Sequence, residues 1–256
     1  MNSWILEVGN TRAKWARFRT DQPLSSSISS VQSTSSDDLK VANSWRAQME
    51  AGDQLLISGS GPVETWASVF PDAFVLLHGD ATLIATKVEH PESLGIDRIA
   101  NVCAVISGAC PDVDPMGSWL IVDAGTCITM DLVVRGIHEG GTIAPGIGMR
   151  LRAMNHGTRH LPFLNWPVED PTRISSGHAI GLNTRDALYA GCASGVALEI
   201  RGKWHALSEK HPGLGIILTG GDHSYLELRS ILPKFADSSL TLKGYHALFH
   251  NILQHP

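Results

Sequence analysis

The feature that most constrains this chain is a pattern that it carries twice. An apolar run, Trp4–Val8, contains one acid, Glu7, and leads into Gly9-Asn10-Thr11 and the alternating segment 14–19, KWARFR. At 119–134, WLIVDAGTCITMDLVV, the same order returns: an apolar run, Asp123, a small residue, Gly125-Thr126 and a second apolar run. An apolar strand, a glycine turn and a returning strand predict a β-hairpin. Two such hairpins far apart in the chain, with no short tandem repeat between them, predict two related halves.

The rest of the chain reads as strands alternating with helices. Residues 24–36 are serine-rich and predict a flexible linker, with Ile28 and Val31 leaving room for an irregular strand. Ser36-Asp37-Asp38 reads as a helix start running to Gly52, with acids in the first turn. A strand is expected at 54–58, closed by Gly59-Ser60-Gly61-Pro62. A helix follows around 63–70, then a strand at 73–77 and a strongly apolar helix at 96–109. The loose polar segment Pro111–Gly117 is the candidate boundary between domains. After the second hairpin, 184–200 reads as a helix rich in small residues, 215–219 as a strand ending at Gly220-Gly221-Asp222, and 246–254 as a closing helix. This alternation predicts an α/β fold whose sheet is mostly parallel in its centre.

Composition narrows the function. With 43% hydrophobic residues and a formal charge of -5 over 256 residues, the chain can bury a substantial core and is not disordered. The absence of a basic run argues against nucleic acid as a partner. No stretch nears the ~20 apolar residues of a membrane span. The start, MNSWILEVGN, lacks the basic region of a signal peptide, so a cytoplasmic protein is expected. The four cysteines form no CxxC pair and are expected as reduced thiols. The i,i+4 pairs His156/His160 and His246/His250 are read as surface or cap histidines, because neither has the setting of a metal site.

Chemistry concentrates at five places. A carboxylate at a strand end beside a Gly-Thr turn can hold a divalent metal, while the turn's N–H groups and hydroxyl grip phosphate oxygens. One copy alone reads better as an ordinary hairpin with a solvated acid; two copies favour phosphate. In Gly95-Ile96-Asp97-Arg98, Asp97 is either a helix cap or a general base, and Arg98 either a surface ion-pair partner or a fork for an anion. The glycine-dense 140–146 and Thr219-Gly220-Gly221-Asp222 permit close approach of backbone to a ligand. There is no P-loop, dinucleotide fingerprint, nucleophile elbow or protein-kinase signature.

Six segments in order, EVGNTRAKWARF (7–18), PESLGIDRIANVCA (91–104), IVDAGTCITMDLV (121–133), GGTIAPGIGMRLRAM (140–154), GLNTRDALYAGCASG (181–195) and LTGGD (218–222), resemble the type III pantothenate kinases of the acetate and sugar kinase/actin-like superfamily. The resemblance implies a duplicated ribonuclease-H-like (actin-like ATPase) fold. Its two similar domains, at 1–115 and 116–256, would each have a mixed sheet and flanking helices. It implies phosphorylation of pantothenate by ATP to 4'-phosphopantothenate, the first step of coenzyme A biosynthesis, by a homodimer that uses Mg2+ and a monovalent cation, K+ or NH4+.

By the same resemblance, Glu7, Val8, Gly9, Asn10, Thr11, Arg12, Ala13 and Lys14 bind ATP together with Thr126. Glu7 stands near magnesium and Asp123 near the monovalent cation. Gly95, Ile96, Asp97, Arg98 and Thr184 bind pantothenate, and Asp97 is the general base. The family usually has Asp where this chain has Glu7. That departure leaves a second expectation: a catalytically weak relative that binds a nucleotide or metabolite as a regulator.

Overall fold

The computed structural model describes residues 2–77, 84–168, 180–226, 228 and 231–254. Two five-stranded sheets organise it, and both are laid out the same way. In the first, β1 (Asn2–Val8), β2 (Arg12–Arg19) and β3 (Ile28–Ser35) form an antiparallel meander. Strands β4 (Gln54–Ser58) and β5 (Phe74–Leu76) then extend the sheet in parallel from β1, in the order β3-β2-β1-β4-β5. The second sheet contains β6 (Ser118–Ala124), β7 (Cys127–Val134), β8 (Ile137–Pro145), β9 (Gly215–Thr219) and β10 (Lys234–Ala236). Read from β8, its order is β8-β7-β6-β9-β10, and β9 and β10 again run parallel to β6. The hairpin echo in the sequence is thus the visible end of a duplication of whole sheets.

Helices join the strands: α1 (Ala42–Arg46), α2 (Val63–Ala67), α3 (Ile96–Ile106), α4 (Ile147–Gly157), α5 (Thr184–Tyr189), α6 (Gly195–Ser208) and α7 (Leu240–Gln254). A π-helical turn, Ala190–Ser194, links α5 to α6.

The chain divides into two compact units. The first is Met1–Gly117 with Val133–Gly140 and Ser239–Pro256; the second is Ser118–Leu132 with Gly141–Ser238. One break falls at Gly117/Ser118, and α7 packs with the first unit, on α3 and β1. The end of the β7–β8 hairpin joins the first unit through the chain near Thr86. There His138 pairs with Thr86, and Lys87 reaches Glu139 at 2.7 Å.

Each unit has its own core. In the first, Trp4, Trp15, Trp45 and Trp66 stack in series with ring centroids 4.9, 5.6 and 5.4 Å apart. On the other side of the sheet, Phe18 stacks on His246 of α7 at 4.2 Å. In the second, Leu120, Val122, Ile128, Met130, Ile216 and Leu218 from the strands pack with Ile147, Leu151, Val196 and Ile200 from the helices. Strands buried on both faces read as nearly continuous apolar runs, which is why β1, β4, β6 and β9 stand out in the sequence.

Four local expectations are corrected. The serine-rich segment is a strand, not a linker: β3 is an edge strand paired along β2, and its serines face solvent. The helix expected up to Gly52 shrinks to a 3-10 turn, Leu39–Val41, and the short α1. The closing helix starts at Leu240, because Gly244 does not break it but meets the backbone of Ala100 where α7 crosses α3. His246 is 4% exposed and bonded to Ser27 at 3.4 Å, not a surface residue, whereas His156 and His160 are exposed. All four cysteines are free thiols, and burial pushes the Cys103 thiol up to about 12.

Candidate active site

In the first unit the candidate residues converge on the turn between β1 and β2. Gly9 N–H donates to the Arg12 carbonyl at 2.9 Å and closes it. Val8 and Ala13 are fully buried and anchor its two ends. Glu7 and Lys14 face each other directly across the antiparallel pair. Their side chains meet, Lys14 Nζ to Glu7 Oε2 at 3.1 Å, and are 27% and 14% exposed. Thr11 and Arg12 are exposed at the turn, and Arg12 Nη2 donates to Ser33 Oγ at 2.6 Å.

The sequence reading missed the second layer of this turn. Strand β4 runs parallel to β1 with Ser58 beside Glu7, and the chain then passes through Gly59-Ser60-Gly61. Gly61 N–H donates to the Val8 carbonyl at 2.8 Å, and a Cβ on Gly61 would overlap the Gly9 carbonyl. Asn10 Nδ2 reaches Ser60 Oγ at 3.5 Å. Only glycine permits this backbone-on-backbone approach.

The second unit repeats the arrangement. Strand β9 runs parallel to β6 with Thr219 beside Asp123, and the chain passes into Gly220-Gly221-Asp222. Asp222 N–H donates to the Ala124 carbonyl at 2.8 Å, the counterpart of the bond from Gly61 to Val8. A Cβ on Gly220, whose φ is +86°, would overlap the Ala124 carbonyl and stand 2.5 Å from Asp123 Oδ1. The glycine-dense segment approaches from the other side: Gly146 N–H donates to the Thr126 carbonyl at 3.0 Å. Thr126 itself is exposed at the turn. Burial pushes the Asp222 carboxyl up, partly offset by a bond from the Trp166 indole.

Two further candidate groups lie at helix starts. Gly95 is the N-cap of α3 and Ile96 is fully buried, so the helix start is anchored in the core of the first unit. Asp97 and Arg98 are half-exposed in the first turn of α3, and Asp97 Oδ1 accepts the Arg98 N–H at 2.8 Å. In the second unit, Thr184 is the exposed first residue of α5. The cap, Asn183, accepts the Asp186 N–H at 2.9 Å. The signal for the missed residues was present in the sequence: Ser58-Gly59-Ser60-Gly61 after one apolar strand mirrors Thr219-Gly220-Gly221-Asp222 after another.

The residues present fit a metal-bound polyphosphate. At each turn a glycine lies against a backbone carbonyl so closely that a Cβ would clash, and a strand-end carboxylate and an exposed threonine hydroxyl stand beside the turn's main-chain groups. Among the described residues no three His, Cys, Asp or Glu side chains cluster as a metal cage. One carboxylate with phosphate oxygens and water is the usual way Mg2+ is held beside a nucleotide.

Comparison with known proteins gives a consistent picture. The family model described as type III pantothenate kinase matches residues 4–206. The chain is 33% identical over 248 residues to the type III pantothenate kinase of Bacteroides fragilis (strain YCH46), covering 96% of each. It is 30% identical over 249 residues to that of Flavobacterium psychrophilum, covering 95% of this chain and 97% of the relative. Among solved structures it is similar to the activator of the 2-hydroxyisocaproyl-CoA dehydratase from Clostridium difficile with bound ADPNP. That likeness has a TM-score of 0.59 at 11% identity and covers 99% and 97% of the two chains. It is also similar to component A of the (R)-2-hydroxyglutaryl-CoA dehydratase of Acidaminococcus fermentans, with a TM-score of 0.55 at 12% identity over 96% and 95% of the chains. At such low identity these two structures speak to the fold alone, the duplicated actin-like ATPase architecture. Among the described residues no helix is long and apolar enough to cross a membrane.

Proposed function

This chain belongs to the type III pantothenate kinase family, and from that premise we propose how its residues divide the work. The reaction is the transfer of the ATP γ-phosphoryl group to the alcohol of pantothenate, which opens coenzyme A biosynthesis, with a divalent metal. Phosphoryl transfer needs in-line positioning and charge neutralisation more than covalent catalysis. Glu7 holds Mg2+, which neutralises phosphate charge when bound. The segment Val8 to Lys14 and Thr126 bind the ATP phosphates through turn N–H groups, the Lys14 ammonium and hydroxyls. Asp123 holds a monovalent cation, K+ or NH4+.

Gly95, Ile96, Arg98 and Thr184 bind pantothenate, and Asp97 is the general base. Asp97 accepts the proton of the primary hydroxyl as that oxygen bonds to the γ-phosphorus. The bond from the γ-phosphorus to the β–γ bridging oxygen breaks, and ADP leaves. The protein acts in the cytoplasm as a homodimer whose domains divide near residue 115.

The observation that carries this reading is the matched pair of turns, each with a strand-end carboxylate and a glycine-walled cradle. The test of the base is Asp97→Asn in a coupled ADP-release assay with pantothenate. Turnover should fall about a hundred- to ten-thousand-fold with little change in ATP KM. A variant that keeps wild-type turnover removes Asp97 from the mechanism.

A further inference from the structure

In the chain that follows α4, Trp166 is fastened to the second unit's turn by a side-chain bond. Trp166 Nε1 donates to Asp222 Oδ2 at 2.9 Å. The same aspartate donates its backbone N–H to the Ala124 carbonyl. One residue therefore ties the Trp166 segment to the strand end that carries Asp123.

The indole sits at a junction. A Cβ on Gly148, in the first turn of α4, would lie 3.1 Å from Trp166 Cδ1, and α4 begins at the glycine bonded to Thr126. The Trp166 ring is 4.7 Å from that of Tyr225, just beyond Asp222. Tyr189 Oη donates to the carbonyl of Asn165 at 3.2 Å. The start of α4 and the turn 220–222 both border Thr126 or Ala124, and both meet at Trp166.

We propose that Trp166 and Asp222 form a positioning clasp that sets the nucleotide affinity of the second unit's turn. This rests on the reading above, in which that turn receives the phosphates. A half-buried carboxylate that loses its donor is drawn towards solvent to recover its hydrogen bonding. Because Asp222 closes the Gly220–Gly221 turn, that movement opens the cradle around Ala124–Thr126. Neither residue touches the reacting atoms; both act through the turn.

The test compares Trp166→Phe, Asp222→Ala, the double variant, Asp222→Asn and Thr126→Ala. ADP affinity is measured by calorimetry, and KM is measured for each substrate. Trp166→Phe keeps the ring and removes the donor; ADP affinity should weaken, and ATP KM rise, about tenfold, with pantothenate KM and kcat within about twofold. Asp222→Asn retains an acceptor oxygen and should recover most of the loss. The double variant should be no worse than either single one, as for partners in one bond. Unchanged ADP affinity in Trp166→Phe, or additive losses in the double variant, overturns the clasp.

Thr126→Ala separates the two levels. If it weakens ADP binding while Trp166→Phe does not, the clasp fails and the phosphate reading stands. If neither variant matters, the phosphate reading fails. Should Trp166→Phe not fold, hydrogen exchange on the wild-type protein decides: added ADP should slow the amides of 164–168 together with those of 220–226. Protection confined to 125–127 contradicts the clasp.

Discussion

The two turns are alike in backbone and unlike in side chain. Both put a carboxylate one residue before a strand end, a hydroxyl residue beside it on the parallel neighbour, and a backbone N–H bonded to the last carbonyl of the strand. In the first unit the acid is Glu7, already ion-paired with Lys14 across the hairpin. In the second it is Asp123, one methylene shorter, with Gly220 pressed close to its carboxylate. The duplication has kept the backbone cradle and let the charged groups diverge. A cradle for phosphate depends on main-chain donors, which any sequence supplies provided glycine allows the approach. The ion to be held depends on the side chain, and there the halves differ.

If the shared backbone is what matters, the largest losses should come from filling either cradle. Gly61→Val and Gly220→Val each force a side chain into a neighbouring carbonyl, and should cost about 3 kcal/mol or more in urea unfolding and abolish ATP binding. A fully active Gly61→Val beside a dead Gly220→Val would break the equivalence of the turns. Removing one charge sharpens the contrast instead. Glu7→Gln should lower kcat/KM for ATP about a hundredfold, with partial recovery at high Mg2+. Asp123→Asn should cost about tenfold and flatten the response to K+ rather than to Mg2+. If both variants respond only to Mg2+, the division of ions between the turns is wrong.

The apolar strands β1, β4, β6 and β9 and both turns were legible in the sequence, because strands buried on two faces and Gly-Thr turns leave strong local marks. What was not legible depended on partners distant in the chain. The serines of β3 suit a solvated edge strand as well as a linker, and only pairing with β2 decides between them. The closing helix was expected only from residue 246, and its earlier turns, with Gly244 against Ala100, depend on packing with α3. The roles of Gly61 and Trp166 were hidden for the same reason: each meets its partner only after the sheets form. His246 was misread because an i,i+4 histidine pair says nothing about burial.

That histidine gives the smallest expected effect on turnover and a further contrast between the units, since it lies in the first. Burial against Phe18 lowers the pKa of His246 from 6.5 to about 4, favouring the neutral ring in the folded state. The stability this residue supplies is complete above pH 6.5. It drains as the pH falls towards 4, by about 3 kcal/mol in all. Urea unfolding of His246→Leu should show a flatter acid limb than the wild type over that range, with activity at neutral pH little changed.

The central proposal is that the turn of each unit answers to nucleotide, and hydrogen exchange on the intact protein, with and without Mg-ATP, tests it most directly. The amides of 9–12 in the first unit and of 125–127 in the second should slow together, at the same nucleotide concentration. Protection of one turn with no change in the other would contradict the account.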